Sequence, residues 1–297
     1  MPRCVVVFGD VIDDILAIPR GPIRGDTDTP ASIRFRAGGS AANAAAWLGS
    51  LGASVDFVGV VGRDDVARHT ALLAAVGVRA HLRSHPDLPT GTIIVLVDGE
   101  RRSMLTERGA NADLDPDRVT DGLLDSAAVL HLTGYSLFHG SHQESFRGLI
   151  GRARARRVTV SIDPASAGFI RDYGVARFLD AIAGAGMLFP NRDEGRALTG
   201  LVEPERIACT LSERFGLVAL TLGADGVLVA SGGTLIAHVP AVATRTVDPT
   251  GAGDAFYAGF IHTWLDTGDP VAAANAGVQV AARALSVVGG RPDPPAR

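Results

Sequence analysis

The sequence predicts an α/β fold, a doubly wound and mostly parallel sheet with helices on both faces, and three observations point there. Short β-branched runs alternate with Ala/Leu/Arg-rich stretches of helix length along most of the chain, and strands separated by helices need the crossover connections of a parallel sheet. The 297 residues are 46% hydrophobic, enough to bury a sizeable core. No internal repeat and no linker rich in Pro, Gly or Ser divides the chain, so residues 1–297 are expected to form one domain.

In order, CVVVFGD at residues 4–10 reads as a strand, ANAAAWLGSLG at 42–52 as a helix, VDFVGVVG at 55–62 as a strand and DVARHTALLAAVG at 65–77 as a helix. AAVLHLTG at 127–134 is a strand, followed by the helical SHQESFRGLIGRARARR at 141–157. VTVSIDP at 158–164, MLFPNRDEGRALTG at 187–200 and LVALTLGADGVLVA at 217–230 continue the alternation, and Asp254 to Leu285 supplies two alanine-rich helical runs. Two regions break the pattern. DDILAIP with ASIRFRA, and TGTIIVLVDGERRSMLTERG, have period-two patterning with turns and no helix between. They are expected to form a small antiparallel β lid, inserted at about 11–37 and 90–109, with an exposed face that must cover a ligand, another subunit or both.

Composition excludes several functions. The formal net charge of −4 supplies no basic field for nucleic acid or anionic lipid, which leaves a small molecule as the expected partner. Cys4 and Cys209 have neither metal-ligand spacing nor a secretory framework. Asp10, Asp13 and Asp14 interrupt the first apolar segment, and no run is long enough to span a membrane, so a cytoplasmic location is expected. All 28 basic residues are arginine. Without lysine there is no Walker A loop, no protein-kinase strand lysine and no Schiff-base chemistry.

Four stretches carry candidate chemistry. In TVDPTGAGDAFYAGF (Thr246 to Phe260) a Gly-x-Gly turn opens a helix, whose first amides and dipole favour an anion; a tight turn with Asp254 as a cap reads the same four letters equally well. A dinucleotide fingerprint is the rival, but Phe256 stands where its third glycine belongs. In RAGGSAANAAAW, Gly38 and Gly39 permit backbone contact with a polyol and Asn43 offers donor and acceptor, or the stretch is simply a helix entry. In LFPNRDEGRALTG, Asn191 and Glu194 share one face of a helical turn, suited to hydrated Mg2+ and phosphate or to starting a helix. TLGADG sets Thr221, Gly223 and Gly226 at a strand end, a nucleotide ledge or an ordinary hairpin.

Taken together, GGSAAN, NRDE, TLGADG and DPTGAGD in this order resemble the ribokinase-like (PfkB) family of carbohydrate kinases, over nearly the whole chain. The resemblance implies ATP-dependent phosphorylation of a hydroxyl on a small sugar, with Asp254 as general base and the Gly251, Ala252, Gly253 and Asp254 amides as anion hole. The helix N-terminus would keep Asp254 ionised at neutral pH. The resemblance further implies that Asn191 and Glu194 organise Mg2+ and the phosphates, Glu194 through water, that Thr221, Gly223 and Gly226 line the ATP site, and that Asn275 lies near adenine. Asp14, with Asp10 and Asp13 as near alternatives, would bind sugar hydroxyls alongside Gly38, Gly39, Ser40 and Asn43. Asp248 and Thr250 match positions that hold K+ in some members, with carbonyls from Val287 to Gly290.

Ser40 stands where ribokinases proper often carry lysine, which disfavours ribose, and the lack of lysine favours an unphosphorylated substrate unless Arg102 or Arg108 on the lid substitutes. A nucleoside (adenosine-like) kinase is the second reading and a non-catalytic sugar sensor the third. A homodimer through the lid is expected from its exposed face. Arg152 to Arg157 read as a solvated helix end, His139 and His142 as surface histidines, and Phe256, Phe260 and Trp264 as core.

Overall fold

The computed structural model describes residues 4–98, 101–138 and 143–293. In chain order the strands are β1 (Cys4–Phe8), β2 (Ile12–Pro19), β3 (Ala31–Gly38), β4 (Ser54–Gly62), β5 (Val78–His85), β6 (Gly91–Asp98), β7 (Arg101–Glu107), β8 (Ala127–Thr133), β9 (Thr159–Asp163), β10 (Met187–Leu188), β11 (Leu217–Thr221), β12 (Val227–Ser231) and β13 (Thr234–Val239). The α-helices are α1 (Ser40–Ser50), α2 (Val66–Ala74), α3 (Asp121–Ser126), α4 (Tyr135–Phe138), α5 (Gln143–Ala155), α6 (Ala167–Tyr173), α7 (Val175–Ala181), α8 (Arg192–Thr199), α9 (Pro204–Phe215), α10 (Ala252–Thr267) and α11 (Pro270–Leu285).

Nine strands form the main sheet in the order β13-β12-β11-β10-β9-β8-β1-β4-β5, parallel from β5 to β11 and antiparallel across the β11–β12 and β12–β13 pairs. Side chains alternate across each strand. On β1, Val5 and Val7 enter the core shared with α1, α10 and α11, whereas Val6 and Phe8 enter the opposite core with α5, α7 and α9. That alternation is the doubly wound sheet read from the sequence. The chain fills the β4–β5 side of β1 first and then returns to pair β8 on the other side, so the strand order reverses between β1 and β8. Crevices at such reversals, outside the carboxyl ends of the strands, are where ligands bind in open α/β sheets.

Local signals set the helix ends. Asp10, just past β1, accepts the Ser40 and Ala41 amides at 2.9 and 3.1 Å and so caps alanine-rich α1 from another strand. Gly268 (φ 67°) ends α10, and Asp269 accepts the Val271 and Ala272 amides to start α11 behind Pro270. Phe256 and Phe260 are buried in the core and Trp264 packs against it half-buried, as their spacing predicts. Arg152 and Arg156 pair with Asp121 and Asp125 on the surface. His139 and His142 lie outside the described residues. Among the described residues no helix is long and apolar enough to cross a membrane.

The lid is a separate four-stranded sheet, ordered β3-β2-β6-β7. It is mixed rather than antiparallel: each hairpin is antiparallel, but β2 and β6 pair in parallel. The cause is topological, since β2 leaves β1 and β6 leaves β5 from the same end of a parallel pair of directions, and both run outward. Asn111 pins the hinge by exchanging hydrogen bonds with the Val11 amide (3.0 Å) and carbonyl (2.7 Å). Arg68 of α2 grips Asp13 at 2.5 Å and Asp65 at 2.7 Å, and the Thr90 hydroxyl donates to Asp65 at 2.6 Å. Phe35, Ile15, Ile94 and Leu105 lie in one cross-strand row on the outer face, with Phe35 71% exposed.

Phe260 has no exposed surface and packs at 5.1 Å from the Phe189 ring. Phe260→Ala is therefore expected to lower the unfolding free energy by about 3–5 kcal/mol, read from urea denaturation midpoints at unchanged slope.

Candidate active site

A cavity of about 610 Å³ opens between the lid and the carboxyl ends of the parallel strands. Asp10 follows β1, Tyr135 follows β8, Asp163 ends β9, Asn191 follows β10 and Thr221 ends β11, and all five line it. The lid adds Asp14, Ile93, Val95, Met104, Thr106 and Arg108. A neighbouring hollow of about 390 Å³ is lined by Asn191, Thr221 and Gly223 with residues of α8.

Asp254 stands on one wall, in the first turn of α10. Gly251 is the cap, in the left-handed region at φ 76°, and a β-carbon there would lie 2.5 Å from the Cα of Gly290, so only glycine fits. Gly251, Gly253 and Asp254 all line the cavity, where first-turn amides lack intrahelical acceptors; the Ala252 amide turns back to the Pro249 carbonyl at 3.3 Å. The Asp254 carboxylate accepts from Ser40 (2.8 Å), from Asn43 (2.8 Å) and from the Tyr257 hydroxyl one turn along α10. Burial pushes Asp254 up to about 6, against the downward pull of those three donors. At neutral pH it is still mostly ionised, although burial moves it opposite to the helix dipole.

Asp163 and Tyr257 were missed by sequence reasoning. The Tyr257 hydroxyl reaches Asp163 at 3.3 Å and Ser40 at 2.9 Å, so one phenol and one serine bridge two carboxylates. Burial first, and then the charges of Glu194 and Asp254, hold Asp163 well above the usual carboxylate range. The buried His131 ring lies 4.7 Å from that of Tyr257, and burial keeps it neutral. Both missed residues had a signal: Asp163 is the polar end of an apolar strand, and Tyr257 lies three residues beyond Asp254 on one helix face.

Across the cavity, Asn191 and Glu194 form a complete capping box that starts α8. Asn191 donates its side-chain amide to Glu194 Oε1 at 2.6 Å and its backbone amide to Oε2 at 2.8 Å. The helix-start reading and the site reading are thus both realised, because the boxed pair lines the cavity. Burial raises Glu194 to about 7. Three buried carboxylates, Asp163, Glu194 and Asp254, face one space, and such an oxygen-rich acidic wall suits a hydrated divalent cation such as Mg2+. Each Glu194 oxygen accepts one hydrogen bond from Asn191. Asp248 is buried and accepts the amides of Thr250 (2.9 Å) and Gly289 (3.0 Å), so it staples the glycine turn to the chain beyond α11.

Two residues expected at the nucleotide site, Gly226 and Asn275, are not among those lining either hollow. Gly226 holds a turn at φ 90° where a β-carbon would meet the Val239 carbonyl at 2.1 Å. Asn275 is exposed on α11 and donates to the Val271 carbonyl at 2.8 Å.

At the lid end the three acidic candidates separate. Asp14 lines the cavity, and burial raises it to about 7 against the charge of Arg291. Asp10 lines it too while capping α1. Asp13, one residue from Asp14 and on the other face of β2, is bound by Arg68 and His69. Gly39 and Ser40 line the cavity, whereas Gly38 packs its Cα on Asp14. Arg108 is the one basic side chain among the described residues lining it; its Nη1 donates to the Tyr135 carbonyl at 3.0 Å, and its guanidinium lies 5.8 Å from the Phe169 ring. Nothing is described of the Arg102 side chain.

Residues 3–297 match the family described as pfkB family carbohydrate kinase. Among curated proteins, the chain is 34% identical over 266 residues to an ATP-dependent ribose-1-phosphate kinase of Halopiger xanaduensis, covering 86% of this chain and 83% of that one. It is 31% identical to a 2-dehydro-3-deoxygluconokinase of Thermoproteus tenax, covering 97% and 89%. Among solved structures, adenosine kinase from Sinorhizobium meliloti superimposes with a TM-score of 0.87 at 26% identity, over 98% of this chain and 96% of that one.

Proposed function

The chain belongs to the pfkB family of carbohydrate kinases, and from that premise we propose that it uses ATP to phosphorylate a hydroxyl of a small, unphosphorylated sugar or sugar-like substrate. The observation that carries the reading is the buried Asp254 carboxylate at the mouth of α10, facing a cavity whose far wall holds Asn191, Glu194 and Thr221.

In this reading Asp254 takes the proton of the substrate hydroxyl while that oxygen bonds to the γ-phosphorus and the bond from that phosphorus to the β–γ bridging oxygen breaks, releasing ADP. The backbone amides of Gly251, Ala252, Gly253 and Asp254 hold the charge on the transferring group, a task that needs no lysine; the Ala252 amide must first leave the Pro249 carbonyl. Asn191 and Glu194 would hold a hydrated Mg2+, which when bound would neutralise charge on the phosphates. Thr221 and Gly223 form the nucleotide ledge. A K+ at Asp248 and Thr250 would add to a loop already held by two amides. Lid closure excludes water, the competing phosphoryl acceptor.

The charge balance favours an uncharged acceptor. Asp14 stands at the lid end beside Asp10, its carboxyl raised to about 7 by burial and so able to exchange hydrogen bonds with hydroxyls, and Arg108 is the single basic side chain among the described lining residues. The Halopiger relative's name, ribose-1-phosphate kinase, makes a phosphorylated acceptor the natural counter-test, and Arg108 is the residue it would use. A nucleoside acceptor is supported by the likeness to an adenosine kinase and by the Tyr135–Phe169 pair on the cavity wall, and opposed by the described lid residues facing inward, none of which is aromatic. The apolar outer lid face supports a homodimer formed by two lids.

ADP release from Mg-ATP, measured across free sugars, sugar acids, sugar phosphates and nucleosides, identifies the acceptor. Asp254→Asn is expected to lower kcat on the order of 10²- to 10⁴-fold with an unchanged unfolding midpoint, and full activity would remove Asp254 from the base role. Because the base works ionised and burial sets it at about 6, kcat/KM should fall as pH drops through about 6. A profile flat to pH 5 would contradict that assignment. For the dimer, Phe35→Glu is expected to halve the mass seen by sedimentation velocity; a wild type that sediments as a monomer rejects it.

A further inference from the structure

Beyond the last helix, the chain passes directly beneath the proposed anion hole. The Gly290 carbonyl accepts the Trp47 indole of α1 at 2.9 Å, and Asp248 accepts the Gly289 amide at 3.0 Å. Gly290 is wedged between two parts of the site: a β-carbon on Gly290 would lie 2.3 Å from Asn43 Nδ2, and one on Gly251 would lie 2.5 Å from the Gly290 Cα. Arg291 follows immediately. Its Nη2 donates to the Gly38 carbonyl at 2.6 Å and its Nε to Asn43 Oδ1 at 3.3 Å.

We infer that Arg291 is a positioning residue for phosphoryl transfer, which holds the side-chain amide of Asn43 with its NH2 end turned to Asp254. The inference rests on the base role proposed for Asp254. An asparagine amide has nearly the same shape at both ends, so packing alone does not choose which end faces a neighbour. Toward the Asp254 carboxylate only the NH2 end can bond, and the reversed amide would set a carbonyl oxygen against it. A guanidinium carries donors and no acceptor. By donating to Oδ1 it selects the orientation in which Nδ2 donates to Asp254 Oδ2 at 2.8 Å.

Fold stability alone does not explain the arginine. Burial draws its pKa down to about 10 against the charge of Asp14, and among the described residues its Nη1 finds no hydrogen-bond partner. Burying a charged group with an unsatisfied nitrogen costs stability, and a residue kept at that cost is better explained by what it orients. Asn43 is correspondingly reassigned: besides facing the cavity it shares the base, one amide hydrogen bond away from the proton-accepting carboxylate.

Arg291→Met keeps the bulk and removes every donor. It is expected to lower kcat roughly 10- to 100-fold, the effect of a displaced catalytic group, and to leave KM for ATP within about twofold. Arg291→Lys, which retains one donor, should recover part of the loss, and it carries the comparison if the methionine variant does not fold. In an Asn43→Ala background Arg291→Met should lower kcat no further. An additive loss in that double variant, or wild-type kcat in Arg291→Met, overturns the inference. Solvent exchange of the Asn43 side-chain amide, assigned by NMR from its absence in Asn43→Ala, gives a readout without turnover. Faster exchange in Arg291→Met upholds the orienting role even if no acceptor in the panel is phosphorylated, in which case the kinase reading alone fails. Unchanged exchange rejects the inference whatever the activity.

Discussion

Asp254 is buried in the first turn of α10, where burial raises its proton affinity while Tyr257, Asn43 and Ser40 donate to its oxygens and lower it. Its ionisation at neutral pH depends on that balance, and the three donors are delivered by two constraints. Tyr257 comes from the same helix, one turn on. Ser40 and Asn43 come from α1, whose first turn is held by Asp10 from the end of β1. A carboxylate so buried without donors would protonate and could then no longer accept a proton.

The sheet topology brings the remaining groups to that carboxylate. Asp10, Asp163, Asn191 and Thr221 belong to four strands and share only their place at the carboxyl ends of a parallel sheet. Parallel strands end on the same side, so loops far apart in the chain converge there. The lid closes the opposite side because β2 and β6 both leave the main sheet outward and pair with each other in parallel, with Asn111, Arg68 and Thr90 fixing their roots.

The acidity of the cavity ties fold to chemistry. Asp14, Asp163, Glu194 and Asp254 all lie above ordinary carboxylate pKa values, burial being the largest cause for each. A divalent cation on the Glu194 side and hydroxyl donors on the Asp14 side would each relieve part of that stress. With no lysine in the chain, the anionic transition state of the proposed transfer falls to backbone amides and a helix end, a solution that depends on glycines at 251 and 290 because no side chain fits between them.

What the sequence determined by itself was local. Period-two apolar runs, the Gly-x-Gly turn opening a helix and the three-residue spacing of Asn191 and Glu194 each encode their own backbone, so the strands, the α10 entry and the α8 cap were all legible. Four motifs in order were enough to suggest the family. Only the tertiary structure decided which of Asp13 and Asp14 faces the cavity, because neighbouring residues on β2 point to opposite faces and the register with β6, together with Arg68 of α2, chooses between them. It set Asn275 on the exposed surface of α11 and packed Gly226 against the end of β13, through contacts from elsewhere in the chain. It also joined Arg291 to Asn43 across 248 residues and Asp163 to Tyr257 across 94. Hydrogen bonds between residues so far apart leave no periodicity in the chain, and they exist only once the sheet has brought its ends together.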